Sequence, residues 1–108
     1  MVDEGGQVFK DFLSTHAVLG DRVRLAILAT LAAADEPMDF NTVRETLDLT
    51  KGNLSSHIRK LEDAKLVKVH KEFVERKPRT TYTCTARGRK ELGHYLRNLE
   101  DLLRGATK

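Results

Sequence analysis

The segment over residues 50–67, TKGNLSSHIRKLEDAKLV, constrains the fold of this chain more than any other. Its apolar residues Leu54, Ile58 and Leu61 are four and three positions apart, so they lie on one face of a helix. Thr50 is suited to cap that helix, because its hydroxyl accepts a hydrogen bond from a free amide of the first turn. We therefore expect a short capped helix with one buried face.

A β-hairpin is expected directly after this helix. Residues 66–73, LVKVHKEF, alternate between apolar and polar side chains with the period of a strand, and the alternation places Phe73 on the apolar face. Residues 74–79, VERKPR, are polar and basic and predict the turn. Residues 80–84, TTYTC, are β-branched and aromatic and predict the return strand.

The flanking segments are helical. The elements expected earlier in the chain are a helix over about residues 6–15, an apolar helix capped by Asp21, a short extended piece over 38–40 and a short helix capped by Asn41. After the hairpin, Thr85 is expected to cap a last helix over about residues 86–104.

Two short helices joined by a tight turn, followed at once by a two-stranded hairpin, form a winged helix-turn-helix. A chain of 108 residues is long enough for one modest core and too short for two. We therefore expect one domain over residues 1–108, of mainly α structure with a small β-hairpin (α+β).

The side of the 50–64 helix opposite its apolar face is unusual. It has small, hydrogen-bonding and basic side chains, and acidic residues occur only in the last turn. In a helix-turn-helix this side enters the DNA major groove, N-terminal residues first. Arg can donate two hydrogen bonds to guanine, Asn can recognise adenine, and Ser can contact a base or a phosphate. The expected base-reading residues are Gly52, Asn53, Ser56 and Arg59.

The same helix offers groups for the DNA backbone. The expected backbone contacts on it are Lys51, Ser55, His57 and Lys60. His57 lies on the flank of the helix, so two interpretations stay open: a phosphate contact, or a partly buried packing residue. Gly52, in the first turn, would allow the helix to approach the duplex closely.

Basic charge is concentrated in the middle of the chain. Residues 51–90 contain 12 Lys or Arg against four Asp or Glu, a net charge of +8, whereas the whole chain has a net charge of +3. Such a patch suggests a polyanionic partner, either nucleic acid or an anionic membrane surface. Charge alone fits a well-solvated basic surface about equally well.

Two groups of cations extend the expected DNA footprint. The hairpin turn would place a basic wing on the DNA backbone or in the minor groove, and its residues are Arg76, Lys77 and Arg79. Arg87 and Arg89 lie in the first turns of the last helix, where cations oppose the helix dipole. A phosphate bound nearby would explain this placement, so both are expected to contact the DNA backbone.

The last helix has a broader apolar stripe than one intramolecular seam needs, which favours a homodimer. The expected dimer interface consists of Phe9, Phe12, Leu13, Leu92, Tyr95, Leu96, Leu99, Leu102 and Leu103. The alternative is that the first and last helices pack on each other within a monomer. A symmetric DNA reader gains affinity and a defined half-site spacing from a dimer.

Other classes of protein find little support in the sequence. It contains no phosphate-binding loop, nucleophile motif or metal-ligand cluster, so no enzyme activity, metal or cofactor is expected. Ser55, Ser56 and His57 would point in three directions from a helix and form no catalytic unit. Cys84 is the only cysteine, and neither a secretory signal nor a stretch of about 20 apolar residues is found. A cytoplasmic protein without membrane contact is expected.

The chain resembles the short winged-helix transcriptional regulators related to the MarR and ArsR groups. The resemblance covers about residues 18–103 and rests on three motifs together, GNLSSHIRKLE, KPRTTY and TARGR. It implies a homodimeric DNA-binding transcription factor whose first and last helices form the interface. The metal-binding cysteine pairs or His/Asp clusters common in ArsR-like sensors are missing. The longer dimerisation helices of MarR-type proteins are also missing, so a small-molecule effector stays open without support.

Three functions remain open from the sequence alone. A sequence-specific regulator of double-stranded DNA is favoured by the hydrogen-bonding residues on the outer helix face. A non-specific architectural or nucleoid protein would use the same charge, since phosphate neutralisation needs no sequence information. A winged helix used as a protein-interaction module is disfavoured by the basic surface, because protein interfaces are depleted in Lys.

Overall fold

Five helices and three strands follow one another in the described part of the chain. The computed structural model describes residues 4–107, except for the side chains at positions 4, 5, 8, 11, 14 and 15. Residues 1–3 and 108 of the expected domain lie outside the described residues. The elements are α1 (Glu4–Thr15), α2 (Arg22–Ala33), β1 (Met38–Asp39), α3 (Phe40–Thr46), α4 (Lys51–Asp63), β2 (Val67–Val74), β3 (Lys77–Cys84) and α5 (Ala86–Ala106).

A side chain caps the N-terminus of each of the helices α2, α3, α4 and α5. The caps of α2, α4 and α5 are the ones that the sequence predicts. Asp21, Thr50 and Thr85 each accept hydrogen bonds from free backbone amides in the first turns of α2, α4 and α5. The expected cap of α3 is wrong. Asp39, and not Asn41, is the cap, because its carboxylate accepts a hydrogen bond from the Thr42 amide at 2.8 Å.

Residues with left-handed backbone follow the C-terminal ends of both helices of the helix-turn-helix. Asp48, just after α3, has φ 52°, and Lys65, just after α4, has φ 64°. At the second position the Leu66 amide donates to the Leu61 carbonyl at 2.9 Å, which satisfies an otherwise free carbonyl of the last turn. These two turns set the directions in which the chain enters and leaves α4.

The sheet is antiparallel with the strand order β1-β3-β2. The hairpin turn consists only of Glu75 and Arg76, which have φ 52° and 68°. Two central residues with positive φ form a type I′ turn, whose twist matches that of the flanking strands. The turn expected over residues 74–79 was therefore too long. Lys77 and Arg79 lie on β3, paired with Val74 and Glu72 of β2.

The core lies where α2, α4, α5 and the base of the hairpin meet. The apolar side of α4, Leu54, Ile58 and Leu61, is buried as expected, against a core that includes Ile27 and Leu28 of α2. Full burial of one such side chain contributes about 1.5–3 kcal/mol relative to exposure. The buried side therefore holds α4 on the domain and leaves its other side free.

Candidate nucleic-acid interface

The outer side of α4 is exposed over its whole length. Between the buried Leu54 and Ile58, the helix turns its polar groups to solvent. The exposed residues among those expected to contact DNA on this helix are Lys51, Gly52, Asn53, Ser55, Ser56, Arg59 and Lys60. The structure thus brings the expected base-reading residues together on one surface, and leaves their roles as predictions.

The N-terminal turn of α4 is open to an anion. A Cβ atom added at Gly52 would meet nothing within 4 Å, so the space beside this residue is free. The Thr50 hydroxyl accepts from the Asn53 amide at 3.1 Å, and the amides before it have no carbonyl partner within the helix. The positive end of the helix dipole adds to the attraction for a phosphate here.

His57 differs from the other expected backbone contacts on α4, because its side chain is only 15% exposed. Its Nδ1 atom lies 3.3 Å from Nη1 of Arg24 and 3.9 Å from Oδ1 of Asp21. These contacts favour the packing interpretation of His57. A phosphate contact by its ring stays a prediction that has to compete with this arrangement.

Arg24 links α4 to the turn between α1 and α2, a connection that the sequence analysis missed. Its Nε donates to the Val18 carbonyl at 2.7 Å and its Nη2 to the Ala17 carbonyl at 3.5 Å, while Nη1 faces His57. The signal in the sequence was the second of two Arg residues in a mainly apolar helix, since a half-buried guanidinium needs acceptors. Arg24 therefore helps to set the position of α4.

Asp21 lies in the same cluster as Arg24 and His57 and supplies its negative charge. The pKa of its carboxyl is lowered, first by the hydrogen bond from the Arg24 amide and further by the Val23 amide and the charges of Arg24 and His57. Burial acts in the opposite direction and is outweighed. The carboxylate therefore both caps α2 and balances the cation next to α4.

The three wing cations differ in their surroundings. Arg76 lies in the exposed turn and Lys77 beside it on β3. Arg79 lies opposite Glu72, and its charge contributes to the lowered pKa of Asp39, where the larger cause is the hydrogen bond from the Thr42 amide. Arg79 is thus the wing cation whose charge acts on a carboxylate at the base of the wing.

Arg87 and Arg89 lie at the opposite end of α4 from Lys51. Thr85, which begins α5, donates from its hydroxyl to the Lys65 carbonyl at 2.8 Å, just after α4 ends. Arg89 donates from Nη1 to the Ala32 carbonyl at 2.8 Å, which satisfies a free carbonyl at the end of α2. A phosphate contact by Arg89 stays a prediction, and it would compete with this bond.

The expected dimer interface divides into two groups. Tyr95 is only 8% exposed and packs inside the chain, with its ring centroid 5.3 Å from that of Phe12 and 4.9 Å from that of His16. It is therefore a core residue of the single chain. The expected interface residues that keep large exposed surfaces are Phe9, Leu13, Leu96 and Leu103. Those that are half-buried are Phe12, Leu92, Leu99 and Leu102.

A histidine pair joins α1 to α5. Nδ2 of Asn98 lies 2.9 Å from Nε2 of His16 and 3.4 Å from Nε2 of His94. Because an amide nitrogen only donates, Nε2 of His16 is the acceptor in the shorter of these contacts, as a neutral imidazole can be. The pKa of His16 is lowered by its burial, with a further contribution from His94 that outweighs the opposite effect of Glu91.

Acidification should destabilise this helix pair through His16. A histidine whose pKa is lower in the folded than in the unfolded state binds fewer protons when folded, so the free energy of unfolding falls as the pH drops below about 6.5. We expect the wild-type protein to lose more stability between pH 7 and 5 than His16→Gln, whose neutral amide has no such titration. Urea unfolding at several pH values measures the difference, and equal losses would contradict the assignment.

The described residues contain neither a cluster suited to a metal ion nor a helix suited to a membrane. No group of three or more His, Cys, Asp or Glu side chains within residues 4–107 is placed to hold a metal ion. No helix in that range combines the length and apolar character needed to cross a membrane.

Comparison with known proteins gives the same fold. The sequence model of the winged helix DNA-binding domain family matches residues 23–103. An uncharacterised protein of Methanocaldococcus jannaschii is 36% identical over 74 residues, which cover 68% of this chain and 79% of that protein. A transcriptional regulator homologue from Pyrococcus horikoshii is 37% identical, with a TM-score of 0.83 over 93% of this chain and 97% of that one.

The MarR crystal structure is more distant. It is 16% identical, with a TM-score of 0.67 over 94% of this chain and 78% of that one, so it shows a common fold alone. The resemblance to winged-helix regulators and the expected α+β fold are confirmed, and the matched family is one of DNA-binding domains and not of enzymes. This chain belongs to the winged helix DNA-binding domain family.

Proposed function

We propose that this protein is a sequence-specific transcriptional regulator that binds double-stranded DNA as a homodimer. The observation that supports this most is the outer side of α4, where Asn53, Ser56 and Arg59 are exposed while Leu54 and Ile58 anchor the helix. A helix held in this way can enter the major groove as a rigid element. Its side chains can distinguish bases and not merely phosphates.

The proposed domain comprises residues 1–108, with residues 1–16 and 86–104 as dimerisation helices. In the structure α1 packs against α5, and the pair leaves Leu13 78% and Leu96 48% exposed. Exposed leucines on neighbouring helices are better explained by a second copy than by solvent. A two-fold dimer would present two α4 helices to half-sites about one helical turn, or a multiple of it, apart.

Relatives support the regulatory part of the proposal. The Pyrococcus horikoshii protein, which is named a transcriptional regulator homologue, is similar over nearly the full length of both chains. In this protein, Lys51, Ser55 and Lys60 would hold phosphates beside the groove, and the wing would contact the backbone or the minor groove. These positioning contacts set the register of α4 on the duplex. No cofactor is needed for this activity.

The proposal is tested by selection from a library of random DNA duplexes at near-physiological salt. A two-fold symmetric motif among the retained duplexes would support a dimeric, sequence-specific regulator and supply its operator. Retention without a motif would indicate a non-specific architectural protein, which the net charge of +8 over residues 51–90 favours as the second candidate. No retention would favour a protein-interaction module.

Arg59→Ala should weaken binding to the selected operator by roughly 1–3 kcal/mol and relax the preference at one base position. The reason is the loss of two hydrogen bonds to a single base edge. Fluorescence anisotropy with the operator and with duplexes altered at each position measures both effects. Arg104→Ala is the matched control, since Arg104 is exposed near the end of α5 and faces Glu100 and Asp101. An equal loss on all duplexes would make Arg59 a phosphate contact.

A further inference from the structure

The tip of the wing has an apolar side that the expected basic footprint does not explain. Residues alternate between the two faces of a strand, so Phe73 lies on the same face of β2 as Val67 and Val69. Its cross-strand neighbour on that face is Pro78 of β3. This face of the hairpin is therefore apolar near the core and again at the tip, with Lys71 and its partner Thr80 between the two parts.

This face is covered at one end only. Val67 is 2% exposed and Tyr82, the partner of Val69, is 7% exposed, whereas Phe73 is 77% exposed. Phe73 shares its face with Val67 and Val69, and β2 is long enough to carry Phe73 past the core. A phenylalanine this exposed, next to a proline, is a candidate contact surface and not part of the packing of this chain.

The charge around the tip indicates the kind of partner. The hairpin from β2 through β3 contains five Lys or Arg against two Asp or Glu. The exposed cations around the tip are Lys71, on the same face of β2 as Phe73, and Arg76 and Lys77, in and beside the turn. A second copy of the wing or another basic surface would repel this charge, and a polyanion would be attracted.

The DNA minor groove has apolar surface and negative charge, which would match the apolar and the basic side chains of the tip. Its walls are deoxyribose rings with apolar C–H surfaces, and its rims are phosphates. Apolar side chains, Phe and Pro among them, are known to enter it. Only side chains at the tip would enter this groove, because it is about 6 Å wide and the two paired strands already lie about 4.8 Å apart.

We propose that Phe73 and Pro78 pack against the deoxyribose walls of the minor groove, while Arg76 and Lys77 contact the phosphates on its rims. This inference rests on the proposed function, because it requires that α4 binds the adjacent major groove. It assigns to the wing a non-ionic contribution to affinity. Base sequence is then read by α4, and the wing senses the shape of the groove.

Salt dependence separates the two kinds of wing contact. A lysine that holds a phosphate releases a counterion, so Lys77→Ala should flatten the slope of log affinity against log salt by about one. Phe73→Ala releases no ion. It should lower affinity about tenfold at every salt concentration and leave the slope unchanged, through loss of buried apolar area.

The matched control is Val74→Ala. Val74 is the next residue of β2, is 42% exposed and lies on the opposite face of the strand, so its truncation should leave affinity unchanged. Phe73 and Val74 are both exposed, and neither variant should lower the melting temperature by more than a few degrees. Circular dichroism checks this before the binding measurements.

The experiment titrates wild-type protein, Phe73→Ala, Val74→Ala and Lys77→Ala with the selected operator at four salt concentrations, and adds hydroxyl-radical footprinting. Reduced affinity with an unchanged slope for Phe73→Ala, together with lost protection of minor-groove sugars beside each half-site, supports the inference. Wild-type affinity and footprint for Phe73→Ala overturn it while the proposed function stands. Failure of the wild-type protein to bind any duplex overturns the proposed function itself.

Discussion

Leu96→Glu is expected to separate the proposed homodimer into monomers and to weaken binding to a two-half-site operator by roughly 10²–10⁴-fold. Leu96 is exposed on α5, on the surface assigned to the partner copy. A carboxylate at the centre of an apolar interface loses its hydration without gaining a partner. Each monomer would then bind one half-site without the high effective concentration that the dimer provides.

Sedimentation equilibrium measures the change in mass, and anisotropy with one-half-site and two-half-site duplexes measures the change in affinity. The wild-type protein should prefer the two-site duplex strongly, and Leu96→Glu should lose that preference while retaining half-site binding. Ala29→Glu is the control, because it adds the same charge at an exposed position of α2. A dimeric Leu96→Glu, or a monomeric wild-type protein, would remove this surface from the interface.

Local signals in the sequence predicted the parts of the fold that depend on local chemistry. The caps Asp21, Thr50 and Thr85 were recognised because a hydroxyl or carboxylate before an apolar, helix-periodic segment has one main use. The cap of α3 was missed because Asp39 and Asn41 can both perform that role. Only the positions of the α3 amides, which the paired β1 strand sets, distinguish them.

The wing shows why strand periodicity alone was insufficient. The alternation predicted that Phe73 lies on the same face as Val67 and Val69, and in the structure it does. Whether a core covers this face depends on how far the hairpin extends past the helices. The turn was predicted too long because Glu75 and Arg76 adopt positive φ without being Gly or Asn, which turn chemistry does not anticipate.

Contacts between segments that are distant in the chain could not be predicted from the sequence. Tyr95 fits the stripe expected to face a partner, yet it is buried against Phe12 and His16 once α1 folds back on α5. The link from His57 to Arg24 joins residues 33 positions apart. The pattern of each helix was correct in both cases, and the approach of a second helix decided what each side chain contacts.

Gly88→Ala should be the most destabilising small substitution in the site region, at about 3 kcal/mol. A Cβ at Gly88 would overlap the Leu66 carbonyl oxygen and lie 2.9 Å from Sγ of Cys84. The first of these is backbone at the end of α4, which cannot move without displacing the start of β2. Thermal unfolding should show a melting temperature lower by about 10–20 °C for a domain of this size.

Gly52→Ala should have the opposite effect on stability. Its added methyl group would meet nothing within 4 Å, and alanine in place of a helical glycine stabilises a helix by up to about 1 kcal/mol. Its melting temperature should therefore equal or exceed that of the wild-type protein. If the first turn of α4 lies against the duplex, operator affinity should fall although the protein is more stable. Unchanged affinity would place Gly52 outside the contact, and unchanged stability of Gly88→Ala would contradict the close packing of α5 on the end of α4.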